Sequence, residues 1–219
     1  TVYDSKGGRI EYYGRSVKDS NGKGYGKISL ARGFELSSNT VLVQSVYDSY
    51  KNNPKQFVDR INSYGLNKPL GLPIKGEGKP VIPQPGTNRW SGVALPWMAF
   101  GYGLSVTPLQ TLTLYNAVAN DGVMIKPIFV SEIKEWNKTI KKFDTEVINP
   151  KICSQETLDK VQAVLENVVK KGTGSKLYSK DFSMAGKTGT AQVNYKDKSK
   201  LYYASSFVGY FPADEPKYS

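Results

Sequence analysis

The sequence contains no histidine, and that absence removes more chemistry than any other feature of its composition. A Ser-His-Asp or Cys-His catalytic set is impossible within these residues, as is any histidine-bound metal. Nucleophilic chemistry here must take its base from Lys, Asp, Glu or Tyr. There is one cysteine, Cys153, so neither an internal disulfide nor a cysteine cluster for metal can form. Cys153 follows Ile152 just ahead of a predicted helix and reads as a half-buried, inert thiol. No apolar run approaches the length of a membrane span, and Thr1 does not open a signal peptide. Any targeting or anchoring segment is therefore expected outside this chain. No run of Lys and Arg interleaved with aromatics marks a nucleic-acid track, so nucleic acid is not an expected partner. No internal repeat is visible.

What is present fits a soluble globular protein of one domain with a sizeable core: 219 residues, 39% hydrophobic, mean hydropathy −0.44. Thirty Lys and Arg against 19 Asp and Glu give a net charge of +11. That reads as a solvated, lysine-rich surface, and as a charge balance it favours an anionic partner: nucleic acid, lipid head groups or a polyanionic wall.

The pattern along the chain is mixed α and β. Residues 1–27 read as short extended pieces around polar turns. Ile28 to Leu36 form an expected helix capped by Ser29, and a second helix follows from Thr40. Ser37-Ser38-Asn39 lies between them and reads, by itself, as a helix cap. Asn53-Pro54 opens a further helix, with Gln56 placed for a capping box and Gly65 as its stop. Residues 67–100 are rich in Pro and Gly and read as a long connection that Trp90 and Trp97 pin down. Thr107-Pro108-Leu109-Gln110 is a capping box opening a helix to Asn120, apolar on so many sides that it belongs in the core. Ile125 to Trp136 alternates like a strand. Ser154 to Lys171 is the clearest amphipathic helix, closed by Gly172. Met184 to Val193 and Leu201 to Phe211 read as a strand hairpin joined by the polar stretch 194–200.

Gly186-Lys187-Thr188-Gly189-Thr190-Ala191-Gln192 is the stretch with the most chemistry. In an extended strand Thr188 and Thr190 point to one face, and Gly189 leaves room for another backbone. A cation and two hydroxyls on a strand edge suit a carboxylate, and the edge itself suits an extended peptide, although taken alone the stretch reads as an ordinary Gly-Thr-rich turn.

Read in order from Ser37 to Pro212, several short pieces form a set. They are Ser37-Ser38-Asn39, Gly101-Tyr102-Gly103-Leu104-Ser105-Val106-Thr107-Pro108-Leu109-Gln110, Ala119-Asn120-Asp121-Gly122, Gly172-Thr173-Gly174, Gly186 to Gln192, and Phe207-Val208-Gly209-Tyr210-Phe211-Pro212. The set resembles the penicillin-binding transpeptidases, and its Gly-Tyr-Gly-Leu-Ser-Val-Thr-Pro form is similar to the division-specific class B enzymes. The resemblance implies an α+β fold, the penicillin-binding/serine β-lactamase-like transpeptidase fold, with an antiparallel sheet and a helical subdomain. It further implies that residues 1–219 are part of one transpeptidase domain, helical mainly over 28–122 and sheet-forming mainly over 123–219. The fold is expected to be incomplete in this chain, its final strands falling beyond Ser219.

Of the family's three motifs, Ser-x-Asn maps onto Ser37 and Asn39, and Lys-Thr-Gly onto Lys187, Thr188 and Gly189. Ser-x-x-Lys is matched by letter at Ser20–Lys23 and Ser131–Lys134. The first lies in a turn where the family needs a helix start. The second lies in an expected strand, out of the family's order. Neither is taken as the nucleophile, which is expected upstream of Thr1, leaving these residues inactive alone. By the resemblance, Ser37 relays a proton to the leaving amine, and Asn39 hydrogen-bonds the stem-peptide amide and the catalytic lysine. Lys187 biases Ser37 and makes the cleft positive. Thr188 and Thr190 hold the terminal carboxylate of D-Ala-D-Ala, and the Thr190 N–H forms half of an oxyanion hole.

The same resemblance implies peptidoglycan stem peptides on lipid-linked precursors as substrate and β-lactams as mimics. It also implies division-complex membrane proteins as partners, no cofactor, and a place on the extracytoplasmic face of the inner membrane. A D-Ala-D-Ala carboxypeptidase, a serine β-lactamase and a non-catalytic β-lactam sensor share this pattern and stand as alternatives.

Overall fold

The structure, a computed structural model, describes residues 1–194 and 198–219. The first 29 residues supply four short strands, β1 (Val2–Asp4), β2 (Arg9–Tyr12), β3 (Arg15–Lys18) and β4 (Lys27–Ser29). They pair antiparallel as β1 with β4 and β2 with β3. Helices α1 (Leu30–Glu35), α2 (Asn39–Tyr50) and α3 (Pro54–Ser63) follow. Ile28 belongs to β4 rather than to the first helix. Ser29 still caps that helix, its Oγ accepting the Arg32 N–H at 3.1 Å. The expected capping box at α3 is not formed, because Asn53 sits at φ −145°, ψ 71° and makes no side-chain cap bond. The long connection contains a five-residue helix, α4 (Ala94–Met98), that its Pro and Gly content hides.

Helix α5 (Pro108–Ala119) has its capping box complete. Gln110 is fully buried, and its Nε2 also donates to the Lys68 carbonyl at 2.8 Å, so the helix start fastens the connection. The single strand expected over 125–136 is two pieces. β5 (Met124–Ile125) ends before Pro127, whose missing N–H cannot continue a ladder. β6 (Glu132–Glu135) then pairs with β7 (Lys138–Lys142) across a Trp136-Asn137 turn at φ 49° and 69°. β8 (Val147–Asn149) pairs with β5.

Helix α6 (Gln155–Lys171) is capped by Ser154 and ends at Gly172. It packs against β9 (Ala185–Val193), which pairs antiparallel in unbroken register with β10 (Tyr202–Tyr210), Lys187 opposite Val208 and Thr190 opposite Ser205. The connection expected over 194–200 falls partly outside the described residues. All strand pairs among the described residues are antiparallel. The core joins Ala117 and Val118 of α5 to Leu158 and Leu165 of α6, with Met124, Ile152, Ala185 and Tyr210. It lies behind β9 and β10 and leaves the other edge of β9 without a strand partner among the described residues.

Candidate active site

Three chain segments meet in front of that edge. The first is the end of α1, where Leu36 is the C-cap. The Ser37 N–H donates to the Phe34 carbonyl at 3.0 Å and the Ser38 N–H to the Gly33 carbonyl at 2.8 Å. These two bonds define a Schellman closure, whose central residue must be left-handed and is usually glycine. Here it is Ser37, at φ +53°. A serine in a glycine position carries local strain of about 1 kcal/mol. Comparing Ser37→Gly with Ser37→Ala isolates that strain, since both lose the hydroxyl. We expect Ser37→Gly to be the more stable by about 1 kcal/mol in urea unfolding.

The turn is also clamped from below. Asp19, buried at the end of β3, accepts from Thr40 N–H and Thr40 Oγ1, both at 2.9 Å, and from Ser38 Oγ at 3.1 Å. Asn39 Nδ2 donates to the Lys18 carbonyl at 2.8 Å. The Ser-Ser-Asn turn is thus held by two consecutive residues of one neighbouring segment.

The second segment follows α6. Arg32 bridges to Glu35 at 2.8 Å and also donates to the Lys171 carbonyl at 3.0 Å, which ties the ends of α1 and α6 together. The Thr173 N–H donates to the Glu35 carbonyl at 3.1 Å. Gly172 makes this approach possible: a Cβ there would stand 2.4 Å from the Glu35 carbonyl oxygen. Thr173 Oγ1 is thereby set 3.5 Å from Ser37 Oγ and 2.6 Å from Thr188 Oγ1.

The third segment is β9. Lys187 Nζ donates to Ser37 Oγ, to the Thr188 carbonyl at 2.9 Å, and lies 5.7 Å from the centre of the Phe34 ring. Burial against these neutral groups pushes its pKa down to about 8. The lysine is still mostly cationic at neutral pH, and among the described residues its hydrogen-bond partners are hydroxyls and a carbonyl rather than a carboxylate.

The strand's parity completes the geometry. The Gln192 N–H turns away from β10, since it donates to Tyr102 Oη at 3.1 Å. N–H groups alternate along a strand, so those of Thr190 and Thr188 also face the open edge. A Cβ at Gly189 would strike Ser206 Oγ at 2.6 Å, so this glycine leaves room for the neighbouring strand's side chain.

The assembly is a partly buried cluster of three hydroxyls and one cation beside open strand N–H groups, a combination suited to a carboxylate next to a polarised carbonyl. A family model of the penicillin-binding protein transpeptidase domain matches residues 1–219. The chain belongs to the penicillin-binding protein transpeptidase family.

Stage V sporulation protein D of Bacillus subtilis is 34% identical over 163 residues, covering 71% of this chain and 24% of that protein. Peptidoglycan D,D-transpeptidase FtsI of Escherichia coli K12 is 30% identical over 164 residues, covering 74% of this chain and 26% of that protein. Among solved structures, the D,D-transpeptidase domain of a peptidoglycan glycosyltransferase from Eggerthella lenta superposes with a TM-score of 0.83. It is 27% identical, with 99% of this chain and 52% of that chain covered. The chain therefore spans about a quarter of these curated relatives and about half of that solved chain. The mixed α/β architecture is the transpeptidase fold of this family.

Of the residues singled out in the sequence, Ser37, Lys187 and Thr188 meet directly. Thr190 is exposed on the same edge. Asn39 donates one Nδ2 hydrogen to the Lys18 carbonyl, which leaves Oδ1 as its acceptor for a ligand. Ser20 lies in a turn and Ser131 just ahead of β6, where Lys134 is tied to Glu132 at 2.6 Å; neither begins a helix. Sequence reasoning missed Thr173, Asp19 and Tyr102. Thr173 stood inside the quoted Gly-Thr-Gly, whose two small flanking residues after a helix were the available signal. Asp19 looked like an ordinary turn residue.

Proposed function

We propose that this chain belongs to a peptidoglycan D,D-transpeptidase acting through a serine acyl-enzyme. The observation that carries the reading is the Lys187–Ser37–Thr188–Thr173 cluster on the open edge of β9. A donor peptide lies along that edge with its terminal carboxylate at Lys187, Thr188 and Thr190. Its penultimate carbonyl then points its oxygen at the Thr190 N–H. One such donor contributes roughly 3 kcal/mol to the transition state. Ser37, polarised by Lys187, passes a proton to the departing D-alanine amine. That places the positive charge where the leaving group develops its basicity. Asn39 Oδ1 accepts from a stem-peptide N–H.

The attacking serine and its lysine base are not among these residues in this reading. A lysine close to a serine and partly desolvated can accept its proton, which lets a histidine-free protein work. An amine from a second stem resolves the ester into a cross-link, and β-lactams enter by the same route. We assign the septal, division-linked role from the Gly101–Gln110 segment. With it we assign an extracytoplasmic site of action on lipid-linked precursors and partners in the division machinery.

Product analysis with a D-Ala-D-Ala pentapeptide donor and an added amine acceptor tests the reading. Transfer of the acyl group to the amine is expected. Release of free acid alone, whatever the acceptor concentration, would assign a carboxypeptidase instead. A stable adduct without turnover would assign a sensor.

A further inference from the structure

The open edge of β9 is open only as far as Thr190. The next N–H on that edge, at Gln192, is already taken by Tyr102 Oη. Tyr102 is built into place. It stands between Gly101 and Gly103, at φ +92° and +76°, conformations that side chains beyond glycine rarely adopt. Its own N–H donates to the Trp97 carbonyl at 2.9 Å. Its ring packs on Phe100 with centroids 5.2 Å apart, and Phe100 packs on Trp97 at 5.9 Å. A tilted ladder of three aromatics therefore ends in one hydroxyl aimed at one strand N–H.

The direction of a bound donor follows from the site. With the carboxylate at Lys187 and Thr188 and the reacting carbonyl at the Thr190 N–H, the acyl side of the peptide runs on toward Gln192. In a regular strand addition, the carbonyl two residues before the reacting one would take the Gln192 N–H. We propose that Tyr102 is an acyl-side specificity residue. Its hydroxyl closes the strand edge at Gln192, so donor pairing stops at Thr190 unless the ligand displaces it. This rests on the transpeptidase reading above. The consequence is that an incoming peptide must turn away from β9 after the reacting residue, past the Tyr102 ring. A donor that keeps to the strand instead must exchange its carbonyl for the tyrosine hydroxyl.

The test uses the full-length enzyme and two β-lactams, 6-aminopenicillanic acid, which has no acyl arm, and a penicillin whose 6-amino group carries a dipeptidyl arm. The readout is the ratio of their second-order acylation rate constants, dipeptidyl over unsubstituted. Tyr102→Phe keeps the aromatic ladder and removes only the competing hydroxyl. Its ratio should exceed the wild-type ratio about five-fold, the worth of one net hydrogen bond. An unchanged ratio, with both compounds acylating both proteins, would overturn the role of Tyr102 and leave the transpeptidase reading standing. If neither compound acylates the wild-type enzyme, the underlying reading fails first.

Discussion

In the full-length enzyme, replacing Lys187 with alanine should slow acylation by penicillin roughly 100- to 1,000-fold while the melting temperature holds or rises. The two effects separate because Lys187 is a cation kept where a cation is poorly solvated. Burial lowers its pKa from the ordinary 10.5 to about 8. The sign of the linkage follows. Below pH 8 both folded and unfolded chains carry the charge, and the cost of burying it is fully present. Between about 8 and 10.5 the folded chain has shed the proton and the unfolded chain has not, so the unfolded state binds more protons and stability rises with pH. If Lys187 acts as proposed, acylation uses the charged form, and its rate should fall across the same window. Wild type minus Lys187→Ala should therefore show stability rising and rate falling together, with the other titrating groups cancelling in the difference. Urea midpoints and acylation rates measured from pH 6.5 to 10 check this. A parallel loss of stability and rate in the alanine variant would mark Lys187 as a structural residue.

Gly172→Ala should damage both the packing and the chemistry of this site. The added Cβ would lie 2.4 Å from the Glu35 carbonyl oxygen, 2.8 Å from Val168 Cα and 2.9 Å from the Val168 carbonyl oxygen, all backbone atoms that cannot swing aside. Separating the ends of α1 and α6 should cost about 1–3 kcal/mol. It also moves Thr173 away from Ser37 and Thr188, and a displacement near 1 Å is enough to cost on the order of 100-fold in rate. Gly174→Ala is the control. Its nearest contact would be 3.2 Å, so it should be milder in both stability and rate. Equal effects from the two would mean that the α1–α6 junction does not set the site.

These predictions also mark where the sequence was readable. Helix α5 and helix α6 carry their own start signals, Thr107-Pro108 with Gln110, and Ser154, and both begin where those residues place them. The β9–β10 hairpin follows from two strand-like runs around a polar connection. The failures are cases where a local pattern met a geometric constraint from elsewhere. Alternation over 125–136 ignored Pro127. Gln56 was well placed for a capping box, but Asn53 adopts a backbone that does not present its side chain.

At the site, the polar residues of the motifs were legible only as an ordered set, since Ser37-Ser38-Asn39 alone reads as a cap and Lys187-Thr188-Gly189 alone as a turn. What holds them was not. Asp19 reaches Ser38 and Thr40 across about twenty residues of sequence, and Thr173 reaches Thr188 across 15. Tyr102 reaches Gln192 across 90, through a connection whose composition says only that it is irregular. The strain at Ser37 is likewise invisible in one dimension. A serine in a glycine position looks like a cap until the two closing hydrogen bonds of α1 are seen.

The central claim is that the cationic edge of β9 grips a carboxylate, and a carboxylate-deletion cycle tests it most directly. Acylation rates would be measured for a penicillin and its methyl ester, each with wild-type enzyme and with Lys187→Ala. The account predicts that esterification slows wild-type acylation steeply and slows the variant little, so the two losses are strongly non-additive. Losses that simply multiply, with the ester penalty as large in the variant as in the wild type, would contradict it.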